Sequence, residues 1–151
     1  MTDSDSGLSY MEQALELAGR AANEDEVPVG AVVVHEGKVI GTGYNLRETR
    51  QDPTAHAEVI ALQAAATAIG SWRLIDCDLY VTLEPCVMCL GACSLGRVRK
   101  VIYAAQDPKG GAISLGYSIP GDVRLNHRFE VDYQPHPRAR ELLQDFFRKR
   151  R

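Results

Sequence analysis

Asp78-Leu79-Tyr80-Val81-Thr82-Leu83-Glu84-Pro85-Cys86-Val87-Met88-Cys89-Leu90, continued by Gly91 to Leu95 and closed by Gly96, decides the fold class. Asp78 to Leu83 has the length and apolar character of a strand. Pro85 is suited to begin a helix, where its fixed φ is already helical and its missing N–H is not needed. Cys86 to Leu95 continues that helix as far as Gly96. Lys100 to Ala105 is the next strand. Strand, helix and strand at this spacing form a βαβ unit, whose crossover is right-handed by default.

The same reading extends in both directions. Upstream, Tyr10 to Ala22 has helical periodicity, with Met11, Ala14, Leu15, Leu17 and Ala18 on or near one face. Val29 to Val34 and Val39 to Tyr44 are strand-like and flank a short turn, His35-Glu36-Gly37-Lys38. Leu46 to Pro53 is polar and reads as a loop. Thr54 is placed to cap a helix over Ala55 to Ile69, which Gly70 closes. Downstream, Gln106 to Gly111 reads as a loop, and the stretch from there to Asn126 carries no decisive pattern. Phe129 to Tyr133 is a fifth strand, and Arg138 to Arg151 an amphipathic helix carrying Leu142, Leu143, Phe146 and Phe147. Strands alternating with helices imply an α/β sheet covered on both faces.

At 151 residues the chain is expected to be one domain, residues 1–151. No apolar run is long enough to span a bilayer, and the polar, acidic start lacks the pattern of a secretory signal. A cytoplasmic protein with no membrane association is expected. Four cysteines in such a length do not make a disulfide scaffold. The net charge of −3 argues against a nonspecific nucleic-acid binder, but its distribution is uneven. Met1 to Glu26 holds seven acids and one base, whereas Pro137 to Arg151 holds six bases and two acids. The terminal Arg148-Lys149-Arg150-Arg151 is either a solvated helix end that complements the helix dipole or a contact for an anionic partner.

Cys86 and Cys89, with His56-Ala57-Glu58 about thirty residues upstream, carry the chemistry. Cysteines at i and i+3 share one helix face, about 5–6 Å between Cβ atoms, close enough to grip one ion. His56 supplies a third ligand. Three protein ligands leave tetrahedral zinc one open position for water, whose acidity the ion raises. Glu58, two residues from His56, is expected to point beside the metal and to move protons. Two blander readings compete. A redox Cys-x-x-Cys pair would not need the preceding proline or the matching His-x-Glu. A closed structural site would need Cys93, which lies about 6 Å further along the helix axis than Cys89. Core packing is the expected role of Cys93 and Cys77. His35 and His136 fall in predicted turns and are expected to be exposed, His127 is placed to cap or hydrogen-bond locally, and none of the three is read as a site residue.

The pattern His-x-Glu with Pro-Cys-x-x-Cys is the signature of zinc nucleobase deaminases. Around it, Glu26 to Ala31, Gly43 to Leu46, Asp52 to Glu58, Leu83 to Cys89, Asp107 to Ala112, Leu125 to Arg128 and Phe146 to Arg150 resemble, in order, the bacterial tRNA adenosine deaminases of the cytidine deaminase-like superfamily. The resemblance implies a three-layer α/β/α sandwich with a central five-stranded mixed sheet, and one zinc per subunit held by His56, Cys86 and Cys89. It implies that Glu58 passes a proton from water to N1 of adenine and then to the departing amino group. It places Asn45, Val29, Ala57 and Leu83 against the target nucleoside and Lys109, Phe147, Arg148 and Arg150 against the RNA. The implied substrate is the wobble adenosine in the anticodon stem-loop of tRNA, an arginine tRNA foremost, and the implied assembly is a homodimer whose subunits share the RNA site.

Two rival functions remain at this point. A guanine or other free nucleobase or nucleoside deaminase shares a similar Asp-Pro-Thr-Ala-His-Ala-Glu segment but has no need of a basic terminal helix. A noncatalytic zinc-binding partner subunit would lack the glutamate that Glu58 supplies.

Overall fold

A computed structural model describes residues 8–150. The first seven residues, with part of the acidic start, and Arg151 lie outside the described residues. In chain order the elements are α1 (Tyr10–Asn23), β1 (Gly30–His35), β2 (Lys38–Tyr44), α2 (Arg47–Arg50), α3 (Ala57–Ile69), β3 (Cys77–Val81), α4 (Val87–Leu95), β4 (Lys100–Tyr103), a 3₁₀ turn (Ile119–Gly121), β5 (Glu130–Tyr133) and α5 (Pro137–Arg148). The strands form one sheet in the order β2-β1-β3-β4-β5. β1 is antiparallel to β2 and β3, and β3, β4 and β5 run parallel. The mixed five-stranded sheet is the one the resemblance implied.

Alternation along β1 separates two apolar layers. Ala31 and Val33 join Leu79, Val81, Val101 and Tyr103 in a cluster with α3 and α4. Val32 and Val34 cluster instead with Ala14 of α1. Ala104 and Ala105, just past β4, bring Leu15 of α1 together with Ala139 of α5. The sheet is therefore covered on both faces. The turn between β1 and β2 is narrower than its four-residue reading. His35 pairs with Lys38, and Glu36 and Gly37 take φ of 51° and 79°. Two consecutive positive φ values give the hairpin turn whose twist matches its strands.

Helix α3 lies unusually close to β2. Its buried face is Ala57, Ala61 and Ala65, four residues apart. A Cβ at Gly43 would stand 2.5 Å from the Ala57 carbonyl oxygen, and one at Gly41 would stand 2.3 Å from that of Ala61. Glycine below and alanine above let helix and strand backbones touch, and this contact fixes where α3 begins.

Several boundaries differ from the sequence reading. Thr54 does not cap α3; His56 does. The Thr54 N–H and hydroxyl both turn back to the Asp52 carboxylate, so the chain makes a tight turn there and enters the helix two residues later. The loop reading of Leu46 to Pro53 misses the single helical turn α2. The undecided stretch before Asn126 holds only the 3₁₀ turn. α5 begins at Pro137, capped by His136, whose Nδ1 accepts the Arg138 N–H, and it ends at Arg148. His35 and His136 are only partly exposed, and His127 Nε2 meets the Val98 carbonyl at 2.6 Å.

Candidate active site

Two helix N-termini converge on one point. His56 is the N-cap of α3 and Cys86 the N-cap of α4, both with extended backbone, and Cys89 follows in the first turn of α4. His56 and Cys86 therefore stand one residue before their helices rather than inside them. Neither uses its side chain to cap. His56 Nδ1 lies 3.6 Å from Cys86 Sγ and 3.5 Å from Cys89 Sγ, and the two sulfurs are 3.8 Å apart. Zinc–sulfur bonds of about 2.3 Å and zinc–nitrogen bonds of about 2.05 Å at tetrahedral angles require about 3.8 Å between sulfurs and about 3.6 Å between nitrogen and sulfur. The donor set thus fits one zinc ion in both chemistry and spacing. Among the described residues it is the single His/Cys/Asp/Glu group able to hold a metal. Cys93 is fully buried in the core and is not part of it.

The donors differ sharply in acidity. Hydrogen bonding from Cys89 and the His56 imidazole, against the cost of burial, brings the Cys86 thiol down to about 3. Its partner Cys89 is pushed up, first by that same bond and then by burial. The His56 imidazole is raised, chiefly by its hydrogen bond to Cys86 and also by Glu58. Glu58 is 4% exposed, and burial pushes its carboxyl up to about 7 although His56 pulls it down. A carboxyl poised near neutrality beside the ligand cluster suits a group that takes and returns a proton.

A cleft of about 820 Å³ opens above this cluster. Its floor includes His56, Ala57, Glu58 and Cys86, and Cys89 is buried behind them. Val29, Asn45 and Leu83 form its walls. Asn45 is 6% exposed; its Nδ2 donates to the Val27 carbonyl, and its Oδ1 accepts the Arg47 N–H. Lys109, Phe147 and Arg150 stand at the rim. Phe147 is 49% exposed, while its neighbour Phe146 takes the buried position. Arg148 does not reach this cleft: it pairs with Asp145 and lines an adjoining depression with Arg140 and Gln144.

Sequence reasoning passed over several residues here. Arg47, Gln106, Asp107 and Leu143 also line the cleft. Glu26 is fully buried and accepts the N–H groups of Glu48 and Thr49, holding α2 beside Asn45. Glu84 is 2% exposed and binds the segment after β4. The available signal for both was position: each carboxylate sits directly beside a short apolar or proline-bearing run that enters the site.

The MafB19-like deaminase family matches residues 5–151. A tRNA-specific adenosine deaminase of Aquifex aeolicus is 44% identical over 142 residues, 94% of each chain. A solved structure from studies of A-to-I editing by tRNA:A34 deaminases at the wobble position of transfer RNA superposes with a TM-score of 0.84 at 43% identity. It covers 89% of this chain and 98% of the other. A guanine deaminase from Nitrosomonas europaea also superposes, with a TM-score of 0.74 at 27% identity, over 91% of this chain and 82% of its own.

Proposed function

The chain belongs to the tRNA-specific adenosine deaminases, within the MafB19-like deaminase family, and on that premise we propose how its residues turn adenosine into inosine. The reaction is hydrolytic deamination of the wobble adenosine in the tRNA anticodon loop, with release of ammonia. We read residues 1–151 as one deaminase domain. His56, Cys86 and Cys89 would hold one zinc per subunit, which when bound would supply the Lewis acidity that brings the pKa of water toward neutrality. The observation that carries the reading is Glu58, a buried carboxyl near neutrality, set beside three donors spaced for zinc at the floor of a cleft.

The adenine base enters the cleft unstacked, as anticodon-loop bases permit. Val29 and Leu83 grip its faces, Asn45 hydrogen-bonds the nucleoside, and the Ala57 backbone meets the base edge. Glu58 accepts the proton of the attacking water and delivers it to N1 as the oxygen bonds to C6. Glu58, again a carboxylate, takes the remaining proton of the C6 hydroxyl and passes it to the exocyclic amino group, which departs as ammonia as the C6–N bond breaks and the C6 carbonyl forms. Burial shields Glu58 from bulk water while it carries each of these two protons. Lys109, Phe147 and Arg150 hold the RNA around the cleft mouth, Lys109 and Arg150 through phosphates and Phe147 by stacking. Arg148 meets the RNA further out.

The substrate class is an arginine tRNA, and the assembly a homodimer. Val87, Leu95, Leu115 and Tyr117 are large apolar side chains left exposed, the kind of surface a second copy covers. Among the described residues no helix is long and apolar enough to cross a membrane; the enzyme acts where tRNA is, in the cytoplasm. The test is inosine formation in an arginine tRNA bearing adenosine at the wobble position, with free guanine and cytidine in parallel and a zinc-loaded Glu58→Ala control. Inosine in the tRNA alone, lost in the control, supports the reading. Ammonia from guanine with untouched tRNA overturns it in favour of a free-base deaminase.

A further inference from the structure

Glu84 takes part in none of the steps above, yet it is one of the most enclosed charged side chains in the protein, at 2% exposure. It enters no ion pair among the described residues. Its carboxylate is instead filled from one direction. Oε1 accepts the Asp107 N–H at 3.0 Å and the Ser114 hydroxyl at 2.6 Å, and Oε2 accepts the Ser114 N–H at 2.7 Å. All three donors belong to the segment that follows β4. The next residue, Pro85, accepts the Ala112 N–H on its carbonyl at 2.9 Å. Glu84 and Pro85 together clasp this segment immediately before the ligand Cys86.

The segment is stiffened from within. The Gly111 N–H closes on the Asp107 carbonyl at 2.8 Å, and Asp107 Oδ1 accepts the N–H groups of Lys109 at 3.2 Å and Gly110 at 3.1 Å. Its backbone lies flat on the carboxylate. A Cβ at Gly111 would come within 2.2 Å of Glu84 Oε2, so any larger residue there would part the two. A buried carboxylate stripped of its donors is costly, and the segment therefore cannot lift away cheaply. On the cleft side it presents Asp107 and the exposed Lys109, which enters no ion pair among the described residues.

We infer that Glu84 is a positioning residue: it ties the Asp107–Ser114 segment to the start of the ligand-bearing helix α4 and so sets where Lys109 stands over the cleft. The inference rests on the RNA-deaminase reading for what Lys109 meets, a phosphate of the anticodon loop. The tie to the segment stands on the hydrogen bonds alone. One carboxylate thereby keeps the metal ligands and a substrate-gripping cation in a fixed relation, although 23 residues separate Asp107 from Glu84.

The test uses the full-length, zinc-loaded chain and an anticodon stem-loop RNA, with Glu84→Gln, Ser114→Ala and Lys109→Ala. Glu84→Gln puts an amide in place of an acceptor facing three donors. Amides of Asp107 and Ser114 then exchange with solvent about tenfold faster, while those inside α4 and the zinc content hold. The Kd for the RNA rises about fivefold, and Lys109→Ala, which weakens the wild-type chain, adds little in the Glu84→Gln background. Ser114→Ala deletes one of the donors, gives the same pattern more weakly, and carries the comparison should Glu84→Gln fail to fold. Unchanged exchange across 107–114, or a full Lys109→Ala effect in the Glu84→Gln background, overturns the proposal. A wild-type chain that does not bind the RNA overturns the functional reading instead, and the exchange comparison still decides whether Glu84 holds the segment.

Discussion

The sulfurs of Cys86 and Cys89 stand 3.8 Å apart, the separation of two thiolates on one tetrahedral zinc. They reach it because Cys86 is the N-cap of α4 and Cys89 lies in its first turn. His56 is brought to the pair by a different helix, so an ion held there would tie α3 to α4. Metal removal is accordingly a stability experiment as well as an activity one. Chelation is expected to abolish deamination and to lower Tm by several degrees, since a bound ion stabilises only the folded chain. Cys89→Ala, at a fully buried position, is expected to lose zinc and stability more than Cys86→Ala. Zinc analysis beside calorimetry of each variant checks this order.

Glu58→Gln keeps the shape of the side chain and removes its ability to carry a proton. With the three ligands untouched, zinc content is expected to stay at the wild-type level while kcat falls by about a hundredfold or more. The fold is expected to hold, because a neutral amide at a 4% exposed site is easier to bury than a carboxylate. Single-turnover inosine formation with parallel metal analysis separates lost chemistry from a lost ion. Comparable loss of both would remove Glu58 from its assigned role.

Glu26 makes acid stability legible. Burial pushes its carboxyl up, but hydrogen bonds from Thr49 and Glu48 outweigh this and hold it below the usual carboxylate value of 4.5. A depressed folded pKa contributes stability that is fully present above about pH 4.5 and is lost as the pH falls through the folded value. Glu26→Gln is expected to cost about 1–3 kcal/mol at pH 7, because two N–H groups lose a charged acceptor. The gap between wild type and variant should narrow as the pH falls from about 4.5 through the depressed folded value. Denaturant unfolding at a series of pH values reads it directly, and a gap that persists into acid would show that the carboxylate is not the source.

The βαβ unit, the hairpin and the end of α3 are readable because apolar runs, Pro85, Gly70 and Gly96 mark their limits locally. The candidate metal ligands and the candidate proton carrier are readable for the same reason: Cys86 and Cys89 are three residues apart, and His56 and Glu58 two. What escapes the sequence is set by distant backbone groups. Glu26 binds N–H groups 22 and 23 residues away, and Glu84 binds one 30 residues away. Neither carboxylate has a sequence neighbour that signals its partners. The cap of α3 is misplaced for a related reason. Thr54 is the better capping residue, but its hydroxyl turns to Asp52 while the His56 ring is held toward the cysteines. The stretch from Ala112 to Asn126 lacks periodicity because single bonds hold it, such as Tyr117 N–H to the Ala112 carbonyl and Phe129 N–H to that of Pro120.

The close seat of α3 on β2 gives a prediction with an internal control. Gly43→Ala places a methyl 2.5 Å from the Ala57 carbonyl oxygen and 2.8 Å from the Ala61 nitrogen, so the helix start must move. It is expected to cost about 1–3 kcal/mol and to weaken zinc binding, because His56 and Glu58 ride on that end. Gly91→Ala, inside α4 with nothing within 4 Å of the added methyl, is expected to be neutral or mildly stabilising. Equal effects of the two would mean that packing of α3 does not set the site.

The cations around the cleft separate by what already holds them. Lys109 enters no ion pair among the described residues and stands at the cleft. Arg150 is bonded to Asp25 and lies over the Phe146 ring, its Cζ 3.5 Å from the centroid, so it must exchange one partner for another to meet a phosphate. Arg148 is paired with Asp145 and faces the neighbouring depression. Removing a cation that contacts a phosphate of single-stranded RNA flattens the dependence of log K on log salt by about 0.7. Lys109→Ala is therefore expected to weaken stem-loop binding and flatten the slope by the full amount. Arg150→Ala should do so less, since Asp25 is left without its partner and adds repulsion of its own. Asp25→Ala, which frees Arg150, is expected to tighten binding and steepen the slope. Titrations between low and physiological salt measure all three, and a slope unmoved by Lys109→Ala would remove that residue from the RNA path.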